Sequence, residues 1–315
     1  MPETIHLIIP GAALPHDAEV PPFKPQQTTP KLRALLTAML PTMRIECADD
    51  SPATPYELAL AAANAVPGEP GHIPWAAFET GTVGVPCAFV KLCHLQVGSD
   101  HVLMLPPEDL AIDLETSRVL LSAMAPYLLE DGITLHPEGA VPGTWLATGE
   151  PFRDLRTVSP DQLRGRRLTQ SMLESAGGSA AILRRLQNEM QMLLYTHPVN
   201  EIRQQQRLLP INSFWVAGAG VLDKKIPIAQ DVWVESRLCP TAQRHDAAAH
   251  AEAWRQVDTD VCADMLARLR AGADLRLTLC GEKAAQTFEC AKQGVWRQFK
   301  HVLGFQPIWN EWGKL

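Results

Sequence analysis

Ser-Ala-Ala-Ile-Leu-Arg-Arg-Leu-Gln-Asn-Glu-Met-Gln-Met-Leu-Leu-Tyr-Thr-His-Pro-Val-Asn-Glu-Ile-Arg (179–203), followed by Leu-Pro-Ile-Asn-Ser-Phe-Trp-Val-Ala-Gly-Ala-Gly (209–220), is the stretch whose reading decides the fold. Ile182, Leu186, Met190 and Leu193 recur at helical spacing, and Leu183 and Leu194 widen the stripe. Arg184, Arg185, Gln187, Asn188 and Gln191 take the opposite side. Ser179 is placed to cap this helix, and Pro198 ends it by forcing His197 out of helical backbone. Asn212 to Ala217 reads as a buried strand, with Gly218 and Gly220 as a tight turn that closes it.

Outward from this stretch, short apolar runs alternate with helical patterns. Thr4 to Ile9 reads as a core strand with a sharp exit at Pro10-Gly11. Thr29 precedes Pro30 as the cap of a helix that turns Leu32, Leu35, Leu36 and Met39 inward. A strand follows near Met43 to Cys47, and Thr54-Pro55-Tyr56-Glu57 is a capping box. Further strands are expected at Val232 to Glu235 and Asp274 to Cys280, with a helix from about Ala248 to Ala271 between them. The expectation is one partly parallel sheet holding the strands that begin at Thr4, Asn212, Asp231 and Asp274.

The middle of the chain has another texture. Pro67-Gly68-Glu69-Pro70-Gly71 is a linker, and the strands expected at 88–97, 101–105, 133–136 and 143–148 surround a helix capped by Asp113. Ser175 to Ser179 reads as a joint back to the helix at 179–197. The expected division is a discontinuous α/β domain over 1–72 and 197–315, with an inserted α+β domain and connecting helix over 73–196. The aromatic tail from Val295 to Leu315 is expected to pack back onto the body.

Of the 315 residues, 46% are hydrophobic and 20% charged, ordinary for a globular chain with a sizeable core. A formal charge of -7 argues against a nucleic-acid surface. No stretch has the length of a membrane span, and the N-terminus lacks a basic and then apolar leader pattern, so a cytoplasmic protein with no membrane partner is expected. Seven scattered cysteines without a C-x-x-C pair read as reduced thiols rather than disulfides or a zinc site.

Chemistry-bearing motifs are sparse. Asp246-x-x-x-His250 would put a carboxylate and an imidazole on one helical face, but two ligands do not make a metal site. Gly218-x-Gly220 lacks the third glycine of a dinucleotide fingerprint, and neither a Gly-x-Ser-x-Gly elbow nor a Walker A sequence occurs. His197, Asn200 and Arg203 lie three residues apart just past a helix end. They could grip an anion, with Arg203 as a bidentate fork, or satisfy main-chain groups at the helix terminus. Asn212 carries the same pair of readings. The candidate ligand-binding set is therefore His197, Asn200, Arg203, Asn212, Gly218 and Gly220, for a small anionic ligand or a protein partner, with no catalytic and no metal-binding residue assigned.

His197-Pro198-Val199-Asn200, Arg203, Pro210-Ile211-Asn212 and Ala217-Gly218-Ala219-Gly220 resemble the archaeal type of cofactor-independent phosphoglycerate mutase, which carries His-Pro-x-Asn-x-x-Arg, Pro-Ala-Asn and Arg-Gly-Ala-Gly. The runs at 95–105, 130–135, 188–194 and 277–282 resemble the bacterial RpfE-type regulatory proteins over most of the chain. The resemblance implies a three-layer α/β sandwich like that of the alkaline-phosphatase superfamily, whose chemistry uses two divalent metals and a hydroxyl nucleophile. Where that pattern has a carboxylate after the first strand this chain has Pro10. Where it has serine followed by aspartate the chain has Thr54-Pro55, and where it has Asp-His after the late strand the chain has Cys280-Gly281-Glu282. The expectation is a pseudoenzyme without cofactor, serving regulation or ligand binding. The alternatives are a residual Mn- or Zn-dependent mutase or phosphohydrolase, and a protein-interaction module that uses the aromatic tail.

Overall fold

Residues 4–14, 28–97, 102–105, 107–137, 141–163, 179–290 and 315 are described by the structure, a computed structural model. In chain order the first half gives β1 (Thr4–Pro10), α1 (Pro30–Ala38), β2 (Met39–Glu46), α2 (Pro55–Ala63), α3 (Trp75–Thr80), β3 (Cys87–Val97), β4 (Val102–Leu105), α4 (Leu114–Glu130), β5 (Thr134–His136) and β6 (Thr144–Thr148). The second half gives α5 (Pro160–Leu163), α6 (Ala180–Tyr195), α7 (Pro198–Gln205), β7 (Ser213–Gly220), β8 (Val232–Val234), α8 (Cys239–Gln243), α9 (Ala247–Val257), α10 (Ala263–Arg270), β9 (Asp274–Cys280) and β10 (Ala284–Cys290). Among the described residues no helix is long and apolar enough to cross a membrane.

The chain forms two compact units, the first made of Met1–Asp49, Thr54–Asn64 and Ala229–Leu315. Its sheet has the order β2-β10-β9-β1-β8, with β1 parallel to both β8 and β9 and β10 antiparallel to β9 and β2. β1, β2, β8 and β9 therefore all end on one edge. Alternate residues choose opposite faces, as strand geometry requires. Ile5, Leu7, Ile9, Leu275, Leu277 and Leu279 meet α1, α9 and α10 through Leu32, Leu35, Trp254 and Met265. Ile8, Cys280 and Ala285 meet Ala59 of α2, with Tyr56 and Leu60 packed against them. Helices on both faces of one sheet make the expected three-layer α/β sandwich.

Local signals account for most of these elements. Thr54 and Glu57 form the expected capping box, at 3.2 and 3.1 Å. The cap of α1 differs. Thr29 makes no side-chain cap, and the buried Asp258 carboxylate instead accepts the Lys31 and Leu32 amides at 3.2 and 2.7 Å. Asp258 stands where the helix expected over 248–271 is interrupted by a π-turn at Asp258–Cys262.

The second unit is Asp50–Ala53 and Ala65–Ile228. Here β3 is the centre, antiparallel to β4, β6 and β7, and β6 pairs with β5. This corrects the expectation that the strand after Asn212 joins the first sheet. Periodicity marks Ser213–Gly220 as buried, yet its main chain is hydrogen-bonded to β3, and the return to the first unit lies at Ala229 rather than near 197. The α6 stripe (Leu183, Leu186, Met190, Leu194) packs in one core with Val90, Leu92, Phe214 and Val216. Asp113 caps α4 through the Thr116 amide at 2.7 Å, as its position implies. The 175–178 part of the expected joint and the tail up to 314 lie outside the described residues.

Candidate functional site

The polar cluster at 197–212 lies within the second unit, and its polar atoms turn to the main chain. His197 has extended backbone (φ -75, ψ 133) before Pro198 and caps α7, its Nδ1 accepting the Val199 amide at 3.2 Å. Asn200 donates from Nδ2 to the carbonyls of Leu194 and Ile211, at 2.7 and 2.8 Å, and its Oδ1 accepts the Ile211 amide at 2.8 Å. Both amide protons are thereby engaged. Asn212 exchanges a similar pair with Leu95, accepting its amide at 2.7 Å and donating to its carbonyl at 2.9 Å. Its side chain thus extends the β3–β7 ladder beyond the Cys93–Ser213 pair.

Arg203 is 3% exposed and points inward. Its Nε donates to the Leu209 carbonyl at 2.8 Å and its Nη2 to the Leu110 carbonyl at 2.5 Å, which ties α7 to the segment before α4. Burial pulls the guanidinium below its ordinary range, and the Asp113 carboxylate opposes that shift. Gly218 and Gly220 do not join this cluster. Along β7 they lie about 20 and about 26 Å from Asn212, at about 3.3 Å per residue. They close no turn either: both are in the strand, and their missing side chains admit α3. A Cβ on Gly218 (φ +63) would fall 2.8 Å from Trp75 Cβ, and one on Gly220 2.9 Å from Pro74 Cβ. Nothing local in the sequence ties the start of α3 to Gly218.

The other candidate is the edge of the first sheet where β1, β2, β8 and β9 end. In open α/β sheets ligands bind outside the carboxyl ends of the strands. Pro10 and Cys280 are in register there, and the Ala12 amide donates to the Cys280 carbonyl at 2.8 Å. Gly11 (φ +69) lets the segment after β8 come close, because a Cβ would stand 3.1 Å from the Leu238 carbonyl carbon and 3.2 Å from Cys239 Cα. The Cys280 thiol is raised above its usual range by burial, with Cys239 adding to the shift, so it is held protonated. Lys283 pairs with Asp49 at 2.8 Å on the exposed side. Leu315 lies against this edge, 5% exposed, its main-chain oxygen accepting the Lys283 and Ala284 amides at 2.8 Å each. Sequence reasoning placed this residue only within a tail expected to pack on the body.

Asp246 and His250 do not act as a pair. Asp246 is exposed and caps α9 through the Ala249 amide at 2.9 Å, whereas His250 is fully buried with Nδ1 3.0 Å from the Thr241 hydroxyl. Among the described residues no group of three or more His, Cys, Asp or Glu side chains is placed to hold a metal ion. All seven cysteines are free thiols, as their spacing implied. A buried polar chain not foreseen from sequence crosses the first sheet: His6 Nε2 is 2.8 Å from Thr278 Oγ1, itself 2.8 Å from Thr287 Oγ1. Burial, with help from Arg276 and against Asp231, lowers His6 to about 4, which keeps the imidazole neutral.

No protein-family model matches the chain, and no curated protein matches it. Solved structures similar to it at low identity and high coverage include a cofactor-independent phosphoglycerate mutase from Thermoplasma acidophilum DSM 1728, with 14% identity, a TM-score of 0.37, and coverage of 93% of this chain and 90% of that one. Another is the PH0037 protein from Pyrococcus horikoshii, with 12% identity, a TM-score of 0.42, and coverage of 92% and 87%.

Proposed function

We propose that this chain is a cytoplasmic pseudoenzyme of the RpfE type, a regulatory or ligand-binding protein on a degenerate phosphoglycerate-mutase-like scaffold. The observation that carries the proposal is the composition of the edge where β1 and β9 end. A di-metal phosphoryl-transfer site needs carboxylates and imidazoles there to hold the ions and polarise phosphoryl oxygens. The positions in question carry a proline, glycines and a buried thiol, with the Glu282 carboxylate beside them: Pro10-Gly11 on one strand, Cys280-Gly281-Glu282 on its neighbour. A thiol raised by burial neither ionises readily nor supplies negative charge to a divalent ion.

Recognition is assigned to this edge rather than to His197, Asn200, Arg203 and Asn212. The side-chain donors of Asn200 and Asn212, and Nε and Nη2 of Arg203, are turned on main-chain carbonyls. A ligand that took them would first have to break those bonds. The test is a mutase and phosphomonoesterase assay with 2- and 3-phosphoglycerate and added manganese, beside metal analysis of protein purified without chelator. The expected result is no turnover and substoichiometric metal. Turnover that depends on manganese, or one or more equivalents of bound Mn or Zn, would overturn the reading in favour of a residual mutase or phosphohydrolase.

A further inference from the structure

The hairpin between β9 and β10 is built around a residue remote in sequence. Gly281 does not have the left-handed backbone that ordinarily requires glycine, since it is absent from the positive-φ glycines among the described residues. The lack of a side chain is instead demanded by Leu315: a Cβ on Gly281 would stand 2.2 Å from the Leu315 carbonyl carbon, 2.3 Å from its oxygen and 2.8 Å from its Cβ. That oxygen accepts two successive amides, Lys283 and Ala284. The Ala284 amide, which would close on the Gly281 carbonyl in a regular two-residue hairpin, is given to Leu315 instead. The Gly281 amide still donates to the Ala284 carbonyl at 2.9 Å, so the turn keeps one of its own bonds. The Leu315 side chain belongs to the apolar core cluster that also holds Ile9, Ala12, Leu238 and Leu279.

Two converging amides, an apolar hole and a glycine that makes room form a seat for one leucyl residue. We propose that this edge is a leucine-recognising seat closed in cis by Leu315, an autoinhibitory latch over the surface to which the function above assigns recognition. The proposal rests on that assignment for its biological meaning, but the latch is tested without any assay of activity. The latch is detachable in energetic terms. Among the described residues Leu315 is held by two main-chain hydrogen bonds and one side chain, whereas the strands beside it are held by full ladders.

Site-resolved amide exchange decides the matter. In the wild-type chain, the Lys283 and Ala284 amides are expected to exchange about tenfold or more faster than the ladder amides of Leu277, Leu279 and Gln286, through local release of Leu315. Leu315→Asp, and the milder Leu315→Ala, should raise the exchange of those two amides by a further tenfold or so while the ladder amides keep their protection. The acetylated tripeptide Gly-Lys-Leu, added at millimolar concentration to Leu315→Ala, should shift the Lys283 and Ala284 amide resonances. It should have no effect on the wild type, whose seat is filled, or on Gly281→Val with Leu315→Ala, where the seat is blocked. Exchange of Lys283 and Ala284 only in step with the ladder would overturn the proposal, as would a tripeptide that binds wild type and Leu315→Ala alike, or neither. Failure here leaves the non-catalytic reading standing, and manganese-dependent turnover would remove that reading while leaving the latch intact.

Discussion

Replacing Arg203 separates a brace from an anion grip. The guanidinium is buried and makes two charge-assisted bonds, to the Leu209 carbonyl at 2.8 Å and the Leu110 carbonyl at 2.5 Å. Such bonds each contribute about 1.5–3 kcal/mol, and a carbonyl left unpaired in the interior loses its own solvation as well. Lys keeps the charge but has one compact ammonium instead of a planar fork, so it can serve only one of two carbonyls approached from different directions. Arg203→Lys should therefore destabilise the second unit by about 1.5–3 kcal/mol, and Arg203→Ala by about 3–6 kcal/mol. The change is to be read from the exchange of β7 amides under rising urea, because those amides report the unit that holds Arg203 and not the whole chain. Asp113, which favours the charged guanidinium, should show a smaller effect of the same sign when changed to Asn. A loss below about 0.5 kcal/mol in Arg203→Ala, the scatter expected of surface substitutions, would refute the reasoning. The two bonds would then not hold the unit together in solution, and the fork would again be available for a ligand.

Stability should depend on pH below neutrality. His6 and His250 are both lowered to about 4 by burial, so the unfolded chain binds more protons than the folded one between about 4 and 6.5. Their contribution is fully present above about 6.5, falls with falling pH by up to about 1.4 kcal/mol per unit for each histidine, and levels off below about 4. Urea titrations from pH 4 to 7 check this, and His6→Gln should remove about half of the slope; an unchanged slope would show that His6 does not titrate with unfolding. Gly218→Ala should cost about 2–4 kcal/mol, from left-handed backbone and from a Cβ 2.8 Å from Trp75. A melting temperature within a degree of wild type would mean that α3 does not approach β7 so closely.

The elements were legible in this sequence where local chemistry decides them. The capping box at Thr54, the Asp113 cap, the break at Pro198 and the α6 stripe need only neighbours within one or two turns. The apolar run of β1, buried from Ile5 to Pro10, likewise announced a core strand covered on both faces. Partnership between strands was not legible. An apolar strand says that it is buried, and Ser213–Gly220 is, but whether β1 or β3 supplies its hydrogen bonds depends on which edge the fold leaves open. The cap of α1 shows the same limit. Thr29 has the right type and place, yet Asp258, distant in sequence, supplies the carboxylate.

The candidate site failed to show itself for a related reason. His, Asn and Arg at three-residue spacing is the pattern of an anion grip, and it is equally the pattern of side chains that satisfy main-chain groups where one helix ends and another begins. The two uses need the same donors, and only the acceptor differs. Here the acceptors are the carbonyls of Leu194, Ile211, Leu209 and Leu110, which carry no side-chain signature at all. The sheet edge presents the inverse case. Its defining residues, Gly11, Gly281 and Leu315, have no polar side chain, and what they do is leave space and fill it. Chemistry of that kind is written in distances between main-chain atoms, so it becomes visible only once the strands have been brought side by side.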